Sequence, residues 1–277
     1  MTESKSEINV IDDYLEELEL FEKTLKFVML VSQNQHGIQT DGRGIRSIRI
    51  FTRQTLTAIS LCKLLPSSIY SKRFESDLWD IGSIASLTRN IIEGYLSLYY
   101  FGIEIVSEQE AELRFFLLQL HKNTEWYNIR KKEMDEDELK QFEEGIAGEK
   151  SRLKKHIFLS HLSPQEQKKV LEGREMYKSK SDFEDNLSVC KDLRVHYRHL
   201  SNLVHTLPLS TERIDNERGR GLGTDPDKNN CLICVMLARK YLAATVVEVV
   251  EKFKIELADR FPKELKDVKP LVKKGFD

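Results

Sequence analysis

Long runs of apolar residues spaced three and four positions apart dominate this chain and predict helices. The first run covers 8–33, where acidic residues come early and lysine comes late, as the helix dipole favours. The 277 residues include only 13 glycines and 6 prolines, about 5% and 2% against the usual ~7% and ~5%, so few turns interrupt the runs. No stretch alternates polar and apolar residues over the length of a strand. The sequence therefore predicts an all-α fold, with more than about 60% of residues in helices.

Start and stop signals divide the chain into a single helical-bundle domain of about seven helices. Beyond the first run, helices are predicted over about 46–65, 77–101 with Asp77 as its cap, 107–133, 135–155, a short segment from 163, 183–207 and 229–260. Within 1–277 we expect an N-terminal helical extension over 1–75, a core over 77–260, and a lysine-rich basic tail over 261–277 that frays.

Composition restricts the environment and the partners of the protein. The 43 basic and 45 acidic residues give a formal charge of −2, so binding of a nucleic acid would need a local basic patch. No apolar run reaches the ~18 to 20 residues of a membrane span, and the first residues are too acidic and polar for a secretory signal. These features predict a cytoplasmic protein with no membrane partner.

Two motifs have the spacing of a metal, redox or phosphate-binding site, but each lacks other residues that such a site needs. Cys231 and Cys234 have the spacing of a metal knuckle or redox pair, but no second cysteine or histidine pair completes a ligand set. They are expected to be small apolar side chains on a buried helix, and the four cysteines do not suggest a disulfide scaffold. The glycine-rich stretch 218–223 lacks the lysine that ends a phosphate loop. The sequence therefore predicts no metal and no cofactor.

The segment 193–207 carries the strongest functional pattern. At about 100° per residue, four polar side chains fall within an arc of about 60° on the predicted helix: Arg194, Arg198, Ser201 and His205. A separate apolar stripe would anchor that helix to a core: Leu193, Leu200, Val204 and Leu207. A cation beside an imidazole on a fixed scaffold can hold a phosphate and transfer its protons, which favours cleavage of a nucleic acid.

Helix geometry selects one arginine–histidine pair among three at the appropriate spacing. Arg198 and His205 lie about 20° apart, whereas Arg194 and His199 lie about 140° apart and cannot share a face. A third pair, Arg114 and His121, flanks residues that resemble a packed face. As a catalytic pair, His205 would move the proton of a ribose 2′-hydroxyl and Arg198, with Arg194, would stabilise charge on phosphorus. Alternatively, His205 caps the helix and the arginines form surface pairs with Asp192 or Glu184.

Arg89 and Glu93 are charged residues four positions apart in an apolar helix, so each needs a polar partner. They could line the cleft that contains His205, and Glu93 would then orient an arginine of the 183–207 helix. Alternatively, the two residues form an internal ion pair that braces two helices.

Residues 197–205 resemble the Y-x-x-x-S-x-x-x-H signature of a bacterial family of helical proteins of unknown function, grouped near the HEPN superfamily. Arg89 and Glu93, followed by aromatics, resemble the R-x-x-x-E signature of the same family. The resemblance covers about 77–257 and implies a HEPN-like all-α fold. It also implies that the two signatures converge in one polar cleft, which would hold Arg89, Glu93, Tyr197, Arg198, Ser201 and His205.

Kinship with HEPN proteins further implies metal-independent RNA cleavage at a composite homodimer site, in phage defence or a toxin–antitoxin system with an antitoxin partner. The rival hypothesis is a non-catalytic helical module that binds a protein or nucleic acid, with the arginine, glutamate and histidine side chains as internal struts. A nuclease should present Arg198 and His205 to solvent beside basic residues, whereas a strut would bury them against Glu93.

Overall fold

The computed structural model of the protein describes residues 10–71, 78–205 and 221–274. Helices account for 79% of the structure, and no strand occurs in the described ranges. The all-α prediction is therefore confirmed, and the helical fraction exceeds the 60% expected from the sequence.

Ten α-helices occur in these ranges, rather than about seven. They are α1 (Val10–Gln33), α2 (Gly42–Leu64), α3 (Ile81–Leu98), α4 (Glu108–Arg130), α5 (Glu136–Lys154), α6 (Pro164–Glu172), α7 (Lys180–Asn186), α8 (Leu193–Val204), α9 (Asp225–Lys252) and α10 (Pro262–Val268). Short π or 3₁₀ turns cover Tyr99–Ile103, Ile157–His161, Ser188–Cys190, Lys254–Ala258 and Lys269–Val272. The additional helices are short, and a helix of two turns repeats its apolar spacing too few times to be recognised in a sequence.

The chain forms two compact units. The first combines Met1–Ile103 with Glu184–Asp277, and the second is Glu104–Phe183. The sequence had suggested a single domain with sections 1–75, 77–260 and 261–277, and that division stays a prediction. The first unit is held together by contacts between residues that are distant in sequence, such as those between α1 and α9.

The helix α9 is the centre of the first unit. It packs against α1, α2 and α3, and its small side chains Ala243 and Ala244 are buried. Its one fully buried cation, Arg239, forms an ion pair with Glu17 of α1 at 2.7 Å between Nε and Oε2. The same guanidinium donates to the carbonyl of Lys274 at 2.8 Å. Burial of this charge is therefore compensated by a carboxylate and by backbone oxygens.

The C-terminal segment is packed rather than frayed. Residues 262–272 form α10 and a 3₁₀ turn, and both lie against α9. Val268 and Leu271 are buried there. The prediction of a frayed tail is wrong for 262–274, because apolar residues between the lysines pack against α9. Residues 275–277 lie outside the described residues.

Helix α3 begins later than the sequence suggested. Its N-cap is Asp80, whose side chain accepts a hydrogen bond from the backbone N–H of Ser83 at 3.2 Å. The predicted cap, Asp77, lies outside the described residues. A carboxylate in this position satisfies one of the N–H groups that the first helical turn leaves without a partner.

The predicted continuous helix over 183–207 is wrong. Helix α7 ends at Asn186, a 3₁₀ turn buries Val189 and Cys190, and Asp192 adopts a left-handed backbone conformation with φ of 60° before α8 starts. Aspartate tolerates this conformation better than most residues. Burial of the short apolar turn therefore outweighs helical continuity here. Residues 206 and 207 lie outside the described residues.

The second unit contains α4, α5 and α6, with α5 packed on both α4 and α6. Arg114 of α4 is buried and pairs with Glu110 and, at 2.7 Å, with Glu104. His121 uses Nδ1 to donate to the carbonyl of Gly173 at 3.0 Å. The Arg114 and His121 pair thus serves the packing of this unit, as the apolar residues between them indicated.

Candidate functional site

Helix α8 is held in the first unit by one apolar edge. Leu193 and Leu200 are fully buried, and α8 packs directly on α3. The apolar stripe predicted from the sequence is therefore confirmed for these two leucines. The rest of the helix surface carries the polar residues of the candidate site.

Three of the predicted residues, Arg89, Glu93 and Tyr197, meet between α3 and α8. The Nε–H group of Arg89 is shared between the Tyr197 hydroxyl at 2.7 Å and a Glu93 carboxylate oxygen at 3.1 Å. The Tyr197 hydroxyl in turn donates to the same Glu93 oxygen. The two motifs, more than a hundred residues apart in the sequence, therefore lie together. We call Arg89, Glu93 and Tyr197 the α3–α8 cluster.

The α3–α8 cluster is only partly shielded from solvent. The side chains of Arg89 and Glu93 are 27% and 43% exposed. The guanidinium carbon of Arg89 lies 4.6 Å from the centre of the Tyr197 ring, within the range of a cation–π contact. Burial, followed by the hydrogen bond to Glu93, raises the pKa of Tyr197 to about 12. The hydroxyl therefore stays protonated at neutral pH and acts as a donor to Glu93.

Two other predicted residues are engaged elsewhere. Arg194 is exposed and forms an ion pair with Glu184, the partner expected if this arginine has a structural role. The hydroxyl of Ser201 donates to the Tyr197 carbonyl at 2.8 Å, one turn earlier in α8. Neither side chain is part of the α3–α8 cluster.

Arg198 and His205 both lie at the surface. Arg198 is exposed, and its guanidinium makes no hydrogen bond or ion pair with any described residue. His205 is an exposed C-cap residue with extended backbone, whose N–H donates to the Ser201 carbonyl at 3.3 Å. The angle of about 20° between the two residues assumed a continuing helix, so it does not apply beyond Val204. His205 thus caps α8, as the structural alternative expected, and both side chains are exposed.

The cysteine motif is buried in α9, as the sequence predicted. Cys231 and Cys234 are fully buried free thiols. Burial raises the pKa of Cys234 to about 12 and that of Cys231 further. Protonated thiols are poor metal ligands and poor nucleophiles. Within the described ranges, no group of three or more His, Cys, Asp or Glu side chains is arranged to hold a metal ion.

The described end of the glycine-rich stretch packs against a tryptophan. Gly221 and Gly223 have φ of 78° and 80°. A Cβ atom on Gly223 would lie 2.6 Å from Nε1 of Trp79, so this position requires glycine for both conformation and space. The basic residues Arg218 and Arg220 of this stretch lie outside the described residues.

Sequence reasoning missed Glu248, a half-buried carboxylate on α9. It accepts a hydrogen bond from the Tyr95 hydroxyl at 2.8 Å, and its second oxygen is buried without a hydrogen-bond partner among the described residues. Burial raises the pKa of Glu248 to about 7. The available signal was a single acidic residue inside the apolar run of 241–250.

Comparison of the chain with protein-family models, curated proteins and solved structures found no match. No helix in the described ranges is both long and apolar enough to cross a bilayer. The resemblance to the HEPN superfamily therefore rests on the two motifs alone.

Proposed function

We propose that this protein is a metal-independent endoribonuclease in which His205 transfers a proton and Arg198 stabilises the charge on phosphorus. The observation that carries the proposal is the exposure of both side chains on the surface of α8. The Glu93 carboxylate accepts hydrogen bonds from Tyr197 and Arg89, whereas the strut hypothesis had placed Arg198 and His205 against it. The proposed reacting groups thus lie at the surface, and other residues fill the role of an internal strut.

The chemistry needs only a base and a cation. His205 would accept the proton of a ribose 2′-hydroxyl, and that oxygen would attack the adjacent phosphorus. The bond from phosphorus to the 5′-oxygen of the next nucleotide would break, and that oxygen would take up the proton that His205 had accepted, which restores the neutral imidazole. Arg198 would stabilise the negative charge that accumulates on the phosphoryl oxygens. The products are a 2′,3′-cyclic phosphate and a 5′-hydroxyl.

The α3–α8 cluster is assigned a positioning role in this scheme. Its hydrogen bonds join the middle of α8 to α3, and the exposed Arg198 lies outside the cluster. We expect Tyr197 to influence cleavage through the placement of α8 rather than through contact with RNA.

The proposal includes a biological setting of the HEPN type. RNA is the expected substrate, a homodimer would provide a composite site, and an antitoxin is the expected protein partner. Such an enzyme would act in the cytoplasm, in phage defence or a toxin–antitoxin system. These elements rest on the resemblance of the two motifs.

One observation favours a second candidate, a non-catalytic module that binds a protein or nucleic acid. Arg194 pairs with Glu184, Ser201 donates to the Tyr197 carbonyl, and the residues of the α3–α8 cluster bond to one another, so five of the seven predicted site residues have structural partners. In that case Arg198 and His205 would be surface residues without a chemical role.

An RNA cleavage assay in the presence of a chelator separates the two candidates. For the nuclease, Arg198→Ala and His205→Ala should each lower the rate by about 10²-fold or more, the usual scale for acid–base and electrostatic contributions. Mass spectrometry should detect 2′,3′-cyclic phosphate ends. Both side chains are exposed, so thermal melts should remain close to wild type.

Replacement of another exposed histidine provides the matched control. His36→Ala removes an exposed imidazole in the turn that follows α1 and should leave the rate unchanged. Cleavage that stops when a chelator is added, or that continues undiminished in His205→Ala, would contradict the proposed mechanism.

A further inference from the structure

A small cavity lies between α1 and α10 in the first unit. Its volume is about 270 Å³, slightly below the ~300–1,000 Å³ of sites that hold drug-sized ligands. Part of its lining is apolar, since Phe27 and Val268 are buried there and Leu30 is half-buried. No described residue that lines the cavity belongs to the candidate site on α8. The cavity is therefore a separate feature, and it suits a small ligand with an apolar part.

Charges of opposite sign line the two walls of the cavity. Lys23 and Lys26 belong to α1, and Glu264 and Asp267 belong to α10. Residues three positions apart on a helix are neighbours on one face, so each helix presents its two charges side by side. One wall thus carries two ammonium groups, and the other carries two carboxylates.

The two walls run in opposite directions. Nζ of Lys23 lies 3.2 Å from Oδ2 of Asp267, and the rings of Phe27 and Phe261 meet edge to face with their centroids 6.3 Å apart. Contacts on α1 therefore move forward in sequence while their partners move backward. A step of three residues forward from Lys23 corresponds to a step of three residues backward from Asp267.

Lys26 and Glu264 are the next pair in this register, but their side chains do not meet. Neither side chain forms an ion pair or hydrogen bond with a described residue, although both line the cavity. Lys26 is exposed and Glu264 is half-buried. An ammonium group and a carboxylate that face one cavity without touching are each available to a ligand group of opposite charge.

We propose that this cavity binds a free α-amino acid with an apolar side chain. The α-carboxylate would accept a hydrogen bond from Nζ of Lys26, and the α-ammonium group would donate to the Glu264 carboxylate. The side chain would lie against Phe27, Leu30 and Val268 and so be removed from water. A zwitterion satisfies both open charges, whereas a simple anion or cation satisfies one and is repelled by the other. Charge complementarity therefore favours an amino acid over a fatty acid, a phosphate or an amine.

The bound amino acid would add a second link between α1 and α10, beside the Lys23–Asp267 ion pair. A ligand that binds the folded protein and not the unfolded chain raises the thermal midpoint, which gives a second readout besides direct binding. Catalysis by His205 is not involved. The proposed nuclease and the amino-acid site can therefore fail independently of each other.

The test is a titration of the full chain with L-leucine, followed by the NMR chemical shifts of its backbone amides. Leucine has nine non-hydrogen atoms, so the expected dissociation constant is about 10 mM or tighter. Glycine lacks the apolar side chain and should bind about 10-fold more weakly. The compounds 4-methylpentanoate and 3-methylbutylamine are leucine without its ammonium group and without its carboxylate. Each should also bind about 10-fold more weakly than leucine.

Two substitutions test the roles assigned to the open charges. Lys26→Met should weaken leucine binding about 10-fold and abolish the preference for leucine over 3-methylbutylamine. Glu264→Gln should weaken leucine binding to a similar extent and abolish the preference for leucine over 4-methylpentanoate. A loss of preference for one analogue only identifies which ligand group each residue binds, and a purely structural role would not produce it.

The matched controls are Lys63→Met and Glu19→Gln, which neutralise exposed side chains outside the cavity. Both should bind leucine as the wild type does, and circular dichroism should show all variants folded. The proposal would be overturned by the absence of saturable binding at about ten times the expected dissociation constant. Equal losses in the controls, or equal affinity of the wild type for leucine and 4-methylpentanoate, would also overturn it.

Discussion

Replacement of Glu248 by glutamine should change how the stability of the protein depends on pH. This carboxylate accepts a hydrogen bond from Tyr95 at 2.8 Å, and burial raises its pKa from the ordinary 4.5 to about 7. Between these two values the folded protein holds a proton that the unfolded chain has released. The free energy of unfolding should therefore fall as the pH rises through this window.

The size of the effect follows from the two pKa values. One pKa unit corresponds to about 1.4 kcal/mol, so the gap between 4.5 and about 7 corresponds to about 3 kcal/mol. This contribution is fully present below about pH 4.5 and is lost once the pH exceeds the folded-state value of about 7. Above that pH the folded protein must hold a charged carboxylate in a largely desolvated position.

Glutamine keeps a carbonyl oxygen for the Tyr95 hydroxyl but cannot ionise. Glu248→Gln should therefore match wild type near pH 5 and exceed its free energy of unfolding by about 2–3 kcal/mol near pH 8. Urea denaturation followed by circular dichroism at several pH values measures this difference. Groups that titrate independently of Glu248 contribute equally to both proteins and cancel.

The control is Glu19→Gln, which neutralises an exposed carboxylate on α1 that has no ion pair with a described residue. Its difference from wild type should stay within about 0.5 kcal/mol over the same pH range. A Glu248→Gln difference that is constant from pH 5 to 8, or that grows toward acid, would refute the reasoning.

Three further substitutions test other parts of the structure by chemical denaturation. Glu17→Ala should lower the free energy of unfolding by about 3–5 kcal/mol, because it leaves the fully buried Arg239 without its carboxylate. Tyr197→Phe removes the hydroxyl that links α8 to α3 and should cost about 1 kcal/mol. Gly223→Ala should cost about 2–4 kcal/mol and alter tryptophan fluorescence, because the new methyl group meets Trp79 and the backbone has positive φ.

Each of these substitutions has a matched control. Lys23→Ala breaks an exposed ion pair and should cost less than about 1 kcal/mol. Tyr70→Phe changes an exposed tyrosine and should have almost no effect. Gly37→Ala tests the positive φ alone, since open space surrounds that position. If Gly37→Ala costs as much as Gly223→Ala, contact with Trp79 is not the reason for the second glycine.

The sequence alone was sufficient to predict the helical class and most long helices. Apolar residues at helical spacing and the scarcity of glycine and proline are local properties, and they determine which segments bury one face. The burial of Leu193, Leu200 and the two cysteines of α9 followed from the same patterns. The pairing of Arg89 with Glu93 also followed from their spacing of four residues.

The tertiary structure decided which distant residues meet and which charges stay exposed. Tyr197 reaches Arg89 and Glu93 because α8 packs on α3, and no local pattern contains that contact. The break between α7 and α8 arises because burial of Val189 and Cys190 competes with helical continuity. Likewise, the pKa of Glu248 depends on how completely its neighbours exclude water. Packing, desolvation and ion pairing between distant segments depend on three-dimensional proximity, which periodicity along a single helix cannot specify.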